Sequence, residues 1–530
     1  MSDWSQLRAE ILGAGEDVVM LLDKSLEPVA DLRGALAWRA PRKANETAVA
    51  ALKMVGDHPA VNELLALSMA PDDPDASFHL LHEAYYLYFQ DRYERDLYRV
   101  ARISDPAGTG GENVVTVEAK SMYRWVEKVA FRASPGDPLI AQLKYRDMRS
   151  GRSLQVIKEY FLVNLMNDFQ PGGVTGWDLW APASWSGVNP SLWPAIVNPV
   201  HDSATTEFTV LDARFDMAGE MIKETLDAAG LLLTIEPWLV GDPQPFPDHA
   251  ILTRPTLIID VVSRQFDTAA TGTPADMLRG LVRTFDSQAN APRIGLGTLP
   301  ATAAGRLPWV LWRPEDMGGV TAPFTVLKSE DSHVIVGGRS PEALNRLVAG
   351  GAKAIFSGVG AALAGAIPVY GGLINAAAIF LGEVVGESLK DKLFAWQAFF
   401  DAKRRAAHGW FTYRTQVGAG DGWTLSAFQQ GFQMLQAGAG SVEVAFEVAD
   451  QCVYEQGRDY SVGDQTGILH RDRVYATFVS ETARGYTETG SRIREVTLGD
   501  PRTRESAVAA LNRSAKSISN AVSRYKTFIM

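Results

Sequence analysis

Two histidines and an acid come nearest to metal-binding chemistry in this sequence: His79-Leu80-Leu81-His82-Glu83. One helical turn would separate the imidazoles, but the order matches neither HExxH nor its inverse, so a solvated helix flank is the favoured reading. Pro71 to Asp75 (PDDPD) is acidic without the Gly and closing Glu of an EF-hand loop and reads as a turn. Gly358-Val359-Gly360 and Gly418-Ala419-Gly420 lack the third glycine and the strand–helix context of a nucleotide loop, and no GKS, GKT or G-x-S-x-G occurs. The single cysteine, Cys452, has no nearby His and excludes disulfides within the chain and multi-cysteine zinc sites. The residues thus predict no enzyme, and catalytic, cofactor-binding and metal sites are all assigned as none.

A different kind of chemistry is suggested by Ala354 to Gly382, a stretch without one charge. A spanning helix needs roughly 20 apolar residues to cross a core of about 30 Å, which this stretch supplies only by running straight through Pro368 and Gly371-Gly372. A turn there would leave two limbs of about 20 Å each, too short to span alone. A Gly/Ala-rich helical hairpin buried in core is the favoured reading. Insertion into a membrane is the alternative, with Phe356, Ile367, Tyr370, Leu373, Ile374, Ile379 and Phe380 as the apolar anchors.

The chain has 530 residues, 46% hydrophobic and 21% charged, which allows three or four domains with buried cores. A net charge of −11 with scattered Arg and Lys argues against nucleic-acid binding, sequence-specific binding included. The first residues carry neither a basic n-region nor a long apolar h-region, so synthesis and folding in a cytoplasm are expected.

Local patterning gives the elements. Val18–Leu22, Tyr85–Phe89, Leu97–Ile103 and the alternating Val115, Val117 and Ala119 read as strands, with Ala35–Trp38 expected to pair with the first across the turn Asp23-Lys24-Ser25. Helical inserts are expected at Glu46–Met54 and Pro59–Met69, and Pro135-Gly136-Asp137-Pro138 closes the segment. Leu154, Ile157, Phe161 and Leu165 keep helical spacing up to Pro171-Gly172-Gly173. A loop with Trp177, Trp180, Trp185 and Trp193 follows, read as packing or interface rather than sugar binding. Met217–Ala229 is a helix, Leu231–Leu239 and Leu257–Val262 are strands, and GDPQPFPD (241–248) is a stiff turn between them. Ser340 with Pro341 starts a helix, and Leu389, Leu393, Trp396 and Phe399 continue helical spacing up to the charged run at Asp401–Arg405. Val442, Val444, Phe446 and Val448 alternate as a half-buried strand does, and Val474–Val479 and Ile493–Leu498 read as further strands. Val508, Leu511, Ala515, Ile518, Val522, Tyr525 and Ile529 average a 3.5-residue repeat, a short coiled-coil seam or an amphipathic helix on its own domain.

The order ETLDAAGLLLTIEPWLVGDPQPFPD, LTRPTLIIDVVSRQF, TGTPADMLRGLVRTF resembles the large minor tail proteins of siphophages that infect Actinobacteria, most strongly from Trp177 to Asp500. That resemblance implies a virion protein of the tail tip, a baseplate hub without cofactors. It would be a homotrimer using two β-barrel-like domains per chain to adapt a sixfold tube to a threefold tip. Its partners would be the distal tail protein, the tape measure protein and other minor tail proteins, with the host membrane as a further candidate. The expected fold is α+β and multidomain. It comprises a β-rich domain with helical inserts (1–138), a mixed α/β middle with the Trp-rich loop (139–339), a helical segment with the apolar hairpin (340–405), a second β-barrel-like domain (406–503) and a C-terminal helix (504–530). A tail-associated cell-wall hydrolase is the alternative function, lowered by the lack of a paired-carboxylate or zinc signature.

Overall fold

The computed structural model describes residues 2–70, 73, 75–106, 113–137, 139–140, 142–170, 178–200, 208–228, 230–263, 310–339, 396–421, 440–471 and 473–499. The chain divides into two compact units, one formed by 1–325 with 442–500 and the other by 326–441 with 501–530.

The first unit begins with helix α1 (Ser2–Gly13), followed by strands β1 (Val18–Leu22), β2 (Pro28–Asp31), β3 (Ala37–Lys43) and β4 (Val49–Val55). Helices α2 (Pro59–Leu64) and α3 (Ala76–His82) precede β5 (Tyr86–Gln90), β6 (Arg95–Ser104) and β7 (Val114–Ser121). Next come α4 (Tyr123–Glu127), β8 (Ala130–Phe131), β9 (Asp147–Arg152) and the long α5 (Ser153–Phe169). After β10 (Ala195–Val197) lie β11 (Phe208–Ala213), β12 (Asp216–Met217), α6 (Ala218–Ala228), β13 (Leu231–Trp238) and β14 (Thr256–Ser263). β15 (Val310–Trp312) and β16 (Met317–Leu327) follow in chain order. The second unit contributes β17 (Asp331–Arg339), β18 (Trp396–Phe400), α7 (Ala402–His408) and β19 (Tyr413–Asp421). The chain then returns to the first unit with β20 (Ser441–Val448), β21 (Gln465–His470), β22 (Arg473–Tyr486) and β23 (Arg492–Gly499).

One 13-stranded sheet dominates, in the order β16-β20-β23-β22-β3-β4-β7-β6-β5-β1-β2, with β21 branching from β22 and β15 from β21. The expected pair of separate β-barrel-like domains is therefore corrected. The sheet is open, and its N-terminal and C-terminal strands are continuous through the antiparallel ladder that runs from Glu481↔Lys43 to Tyr486↔Trp38. The 14-residue strand β22 makes this possible: its first half pairs with β21, and its second half holds β23 on one side and β3 on the other. Side-chain alternation marks a strand but says nothing about which strand lies beside it.

β1 shows how the sheet divides its cores. It is buried along its whole length, Val18, Met20 and Leu22 facing one cluster and Val19 and Leu21 the other, as a period of two requires. The first cluster continues into α1, α4, α5, α6 and the three-stranded sheet β10-β14-β13. The second lies with Trp38, Leu52, Phe89, Tyr98 and Val117 under α2. A third surrounds Trp312, whose indole meets Phe446, Tyr454 and Tyr460 edge-on.

Most expected elements appear where the pattern placed them, including β1, β5, β7, α5, α6, β13, β14, β20 and β23. Three differ. Residues 49–54 of the helical insert expected at Glu46–Met54 lie on strand β4, whose buried Ala50, Leu52 and Met54 alternate with exposed neighbours. Strand β1 pairs with β2 and β5, while the stretch expected as its partner begins β3, which pairs with β4 and β22. Trp396 and Phe399, read as helical, lie on strand β18, paired antiparallel with β17; short apolar runs fit either period. The helix expected from Ser340 and the C-terminal seam lie outside the described residues.

Candidate functional site

The strongest concentration of charge sits where the N-terminal and C-terminal strands meet. Arg484 on β22 places Nη2 2.8 Å from Asp96 Oδ2 on β6 and pairs through Nη1 with Asp91 in the β5–β6 turn. The same guanidinium donates to the Phe89 carbonyl at 3.2 Å. Arg42 on β3 stands alongside, with Nη1 3.0 Å from Glu94 Oε1 and Nε on Asp96, and donates to the Arg95 carbonyl at 2.6 Å. Glu94 also accepts from Gln456 Nε2 and Ser461 Oγ, each at 2.7 Å.

Arg484, Asp96 and Glu94 are all buried. Burial alone would pull the two arginines toward deprotonation. Asp96 first, joined by Glu94 for Arg42 and by Asp91 for Arg484, instead holds both well above the usual guanidinium range. A buried ion pair is weak evidence of added stability, but removing one partner leaves an uncompensated buried charge. Aromatic packing reinforces the joint. Trp38 stacks on Phe89 with centroids 4.9 Å apart and meets Tyr486 of β22 at 5.9 Å. Gly485 is required here, because a Cβ would lie 1.9 Å from the Trp38 carbonyl oxygen.

A second charged anchor ties the N-terminus to the turn after β13. Asp242 Oδ1 is 2.9 Å from Arg8 Nη1, its Oδ2 is 2.5 Å from Arg95 Nη1, and it caps the Leu239 amide at 2.8 Å. This is the turn that the GDPQPFPD run indicated. Lys158 on α5 is a third: 1% exposed, it places Nζ 2.6 Å from Asp260 Oδ1 and 5.5 Å from the Trp180 ring centroid.

None of these clusters was singled out from the sequence. Asp91 follows the strand expected at Tyr85–Phe89, and its partner Arg484 lies almost four hundred positions away. The one local signal was the charge of Glu94, Arg95 and Asp96 just before the strand expected at Leu97–Ile103.

The residues first considered for chemistry fall elsewhere. His79 Nδ1 is 2.7 Å from Glu83 Oε2 on the surface, and His82 lies against Phe78 with ring centroids 4.7 Å apart. The His79 hydrogen bond, then that from Lys24, holds the Glu83 carboxyl below its usual range. Among the described residues no group of three or more His, Cys, Asp or Glu is set to hold a metal. Of PDDPD, Asp73 and Asp75 are described, and the Asp75 amide donates to Asp73 Oδ1 at 2.9 Å. Trp185 and Trp193 are buried and Trp180 partly so, in keeping with packing; Cys452 packs against the third core.

The membrane-insertion candidates Phe356, Ile367, Tyr370, Leu373, Ile374, Ile379 and Phe380 lie outside the described residues. So do the oligomerisation candidates Val508, Leu511, Ala515, Ile518, Val522, Tyr525 and Ile529. Among the described residues no helix is long and apolar enough to cross a membrane.

What the fold and its joint define is a strand-rich α+β protein whose buried charges fasten distant parts of one open sheet. The chain belongs to the family of siphovirus ReqiPepy6 Gp37-like proteins, which it matches over residues 18–500. It is similar to solved structures at low identity. A prophage tail protein gp18 of Listeria monocytogenes is 10% identical, with 94% of this chain and 98% of that one covered at a TM-score of 0.42. A tail protein of Neisseria meningitidis is 9% identical, covering 92% and 97% at 0.40. The 43 kDa tail protein of prophage MuSo2 from Shewanella oneidensis is 9% identical, covering 92% and 100% at 0.41. No curated protein matches the sequence.

Proposed function

We propose that this chain is a structural hub of a siphophage tail tip, a homotrimer that closes the tail tube and takes part in host attachment and genome ejection. The observation that carries the reading is the family match over residues 18–500. The distal tail protein, the tape measure protein and other minor tail proteins are the partners in this reading, and Ala354–Gly382 is either core of the hub or the part that enters the host membrane.

Gold-labelled antibody against this chain, applied to intact virions under the electron microscope, tests the placement: label at the distal tip supports it, and label at the head or along the tube shaft overturns it. Light scattering coupled to size exclusion, with and without residues 505–530, tests the assembly. A trimer that dissociates on truncation supports the C-terminal seam, whereas a monomer in both cases makes trimerisation dependent on other virion proteins.

A further inference from the structure

In the second unit, α7 ends in a short tip that exposes three aromatic rings to solvent. Trp410 is 98% exposed, Phe411 92% and Tyr413 68%. The tip is held at both ends. Asp401 caps α7 by accepting from the Arg404 amide at 3.0 Å, Arg404 Nη1 donates to the Asp331 carbonyl at 2.9 Å, and His408 Nε2 lies 2.8 Å from Ser329 Oγ. Gly409 then turns the chain with φ +69°, a conformation that suits glycine and ends the helix. Tyr413 opens β19, which pairs parallel with β17. The aromatic rings therefore project from a braced turn.

Residues 401–421 carry four cations, Lys403, Arg404, Arg405 and Arg414, against two carboxylates, Asp401 and Asp421, in a chain whose net charge is −11. Arg405 is exposed beside the tip. We propose that this tip is a membrane-contact element that seats Trp410, Phe411 and Tyr413 in the headgroup region of an anionic lipid bilayer.

Three arguments select that occupant. Tryptophan and tyrosine favour the boundary between hydrocarbon and water, where the ring is desolvated and the polar atom stays wet. The exposed Arg405 complements anionic headgroups, an Arg or Lys near the surface contributing about 1 kcal/mol. A convex tip of three side chains, at about 150–250 Å² each, falls short of the roughly 800 Å² that a stable protein partner covers on its side. The inference concerns residues other than 354–382 and is independent of the tail-tip reading.

The test is co-sedimentation of the full-length protein with vesicles of phosphatidylcholine alone or mixed with phosphatidylglycerol. The wild type is expected to partition preferentially onto the anionic vesicles. Trp410→Ser/Phe411→Ser/Tyr413→Ser should lose at least about tenfold in partitioning with an unchanged thermal midpoint, since the rings touch little of the fold. Arg405→Glu should lose about tenfold on anionic vesicles and nothing on neutral ones. The proposal is overturned by wild type that ignores anionic vesicles, or by a triple variant that sediments like wild type. It is equally overturned if the triple variant binds vesicles normally but loses mass by light scattering, which would assign the tip to a protein contact.

Discussion

Arg484 Nη2 and Asp96 Oδ2 stand 2.8 Å apart although 388 positions separate them in the chain. This contact and the β3–β22 ladder beside it bind the end of the sequence to its beginning. They make the order of the fold non-local: the N-terminal strands can be complete before β22 is synthesised, yet one edge of β3 stays open until β22 arrives.

Arg484→Met should destabilise the first unit by about 3–5 kcal/mol, because Asp91 would lose its guanidinium partner and Asp96 would be left with Arg42 alone. Thermal unfolding followed by circular dichroism reads this directly. Arg484→Lys should recover only part of the loss, since a single ammonium cannot serve Asp91, Asp96 and the Phe89 carbonyl together. Equal midpoints for wild type and Met variant would show that the ion cluster does not hold the strands.

Gly485→Ala should be more damaging than Gly490→Ala, although Gly490 has the positive φ of +79°. At 485 the added Cβ would sit 1.9 Å from the Trp38 carbonyl oxygen, whereas at 490 nothing lies within 4 Å. Roughly 1 kcal/mol of backbone strain is expected at 490, against loss of the β3–β22 ladder at 485. Limited proteolysis should then release fragments from the 485 variant and leave the 490 variant intact.

Lys158→Met leaves Asp260 charged beside the Asn198 side chain and should lower stability by about 3–5 kcal/mol. Lys158→Met/Asp260→Leu should recover part of that, since it removes the unpaired carboxylate but leaves the Asn198 side chain without its 2.6 Å partner. A double variant no better than the single one would mean that the pair contributes more than mutual neutralisation.

Asp17→Asn should raise stability at neutral pH. Burial, opposed by Arg484 and reinforced by Asp91, lifts the Asp17 carboxyl above its ordinary 3.8. A group whose folded pKa is raised favours the fold while protonated, and this contribution disappears as pH climbs through the raised value. The advantage of Asn over Asp should therefore be largest at pH 7 and shrink to nothing as pH falls to 3.8 and below. Thermal midpoints of both proteins across that range check the sign; an advantage that grows in acid would refute it.

The local elements were legible because their signals are local. Val18–Leu22, the helix beginning at Ser153 and the stiff turn at Gly241–Asp248 each follow from periodicity or from proline and glycine chemistry within a few residues. Residues 49–54 and Trp396–Phe399 were misread as helix for the same reason: a short apolar run satisfies both periods until a neighbouring strand selects one. The sequence alone determined the strand-rich composition, the absence of nucleotide-loop and nucleophile-elbow motifs and the membership suggested by residues 177–500. Tertiary structure alone decided that β3 and β22 are neighbours, that Arg42, Glu94, Asp96 and Arg484 form one buried cluster, and that the expected pair of barrels is a single open sheet. Strand pairing and ion pairing depend on distance in space, and one residue's alternation carries no record of a partner hundreds of positions away.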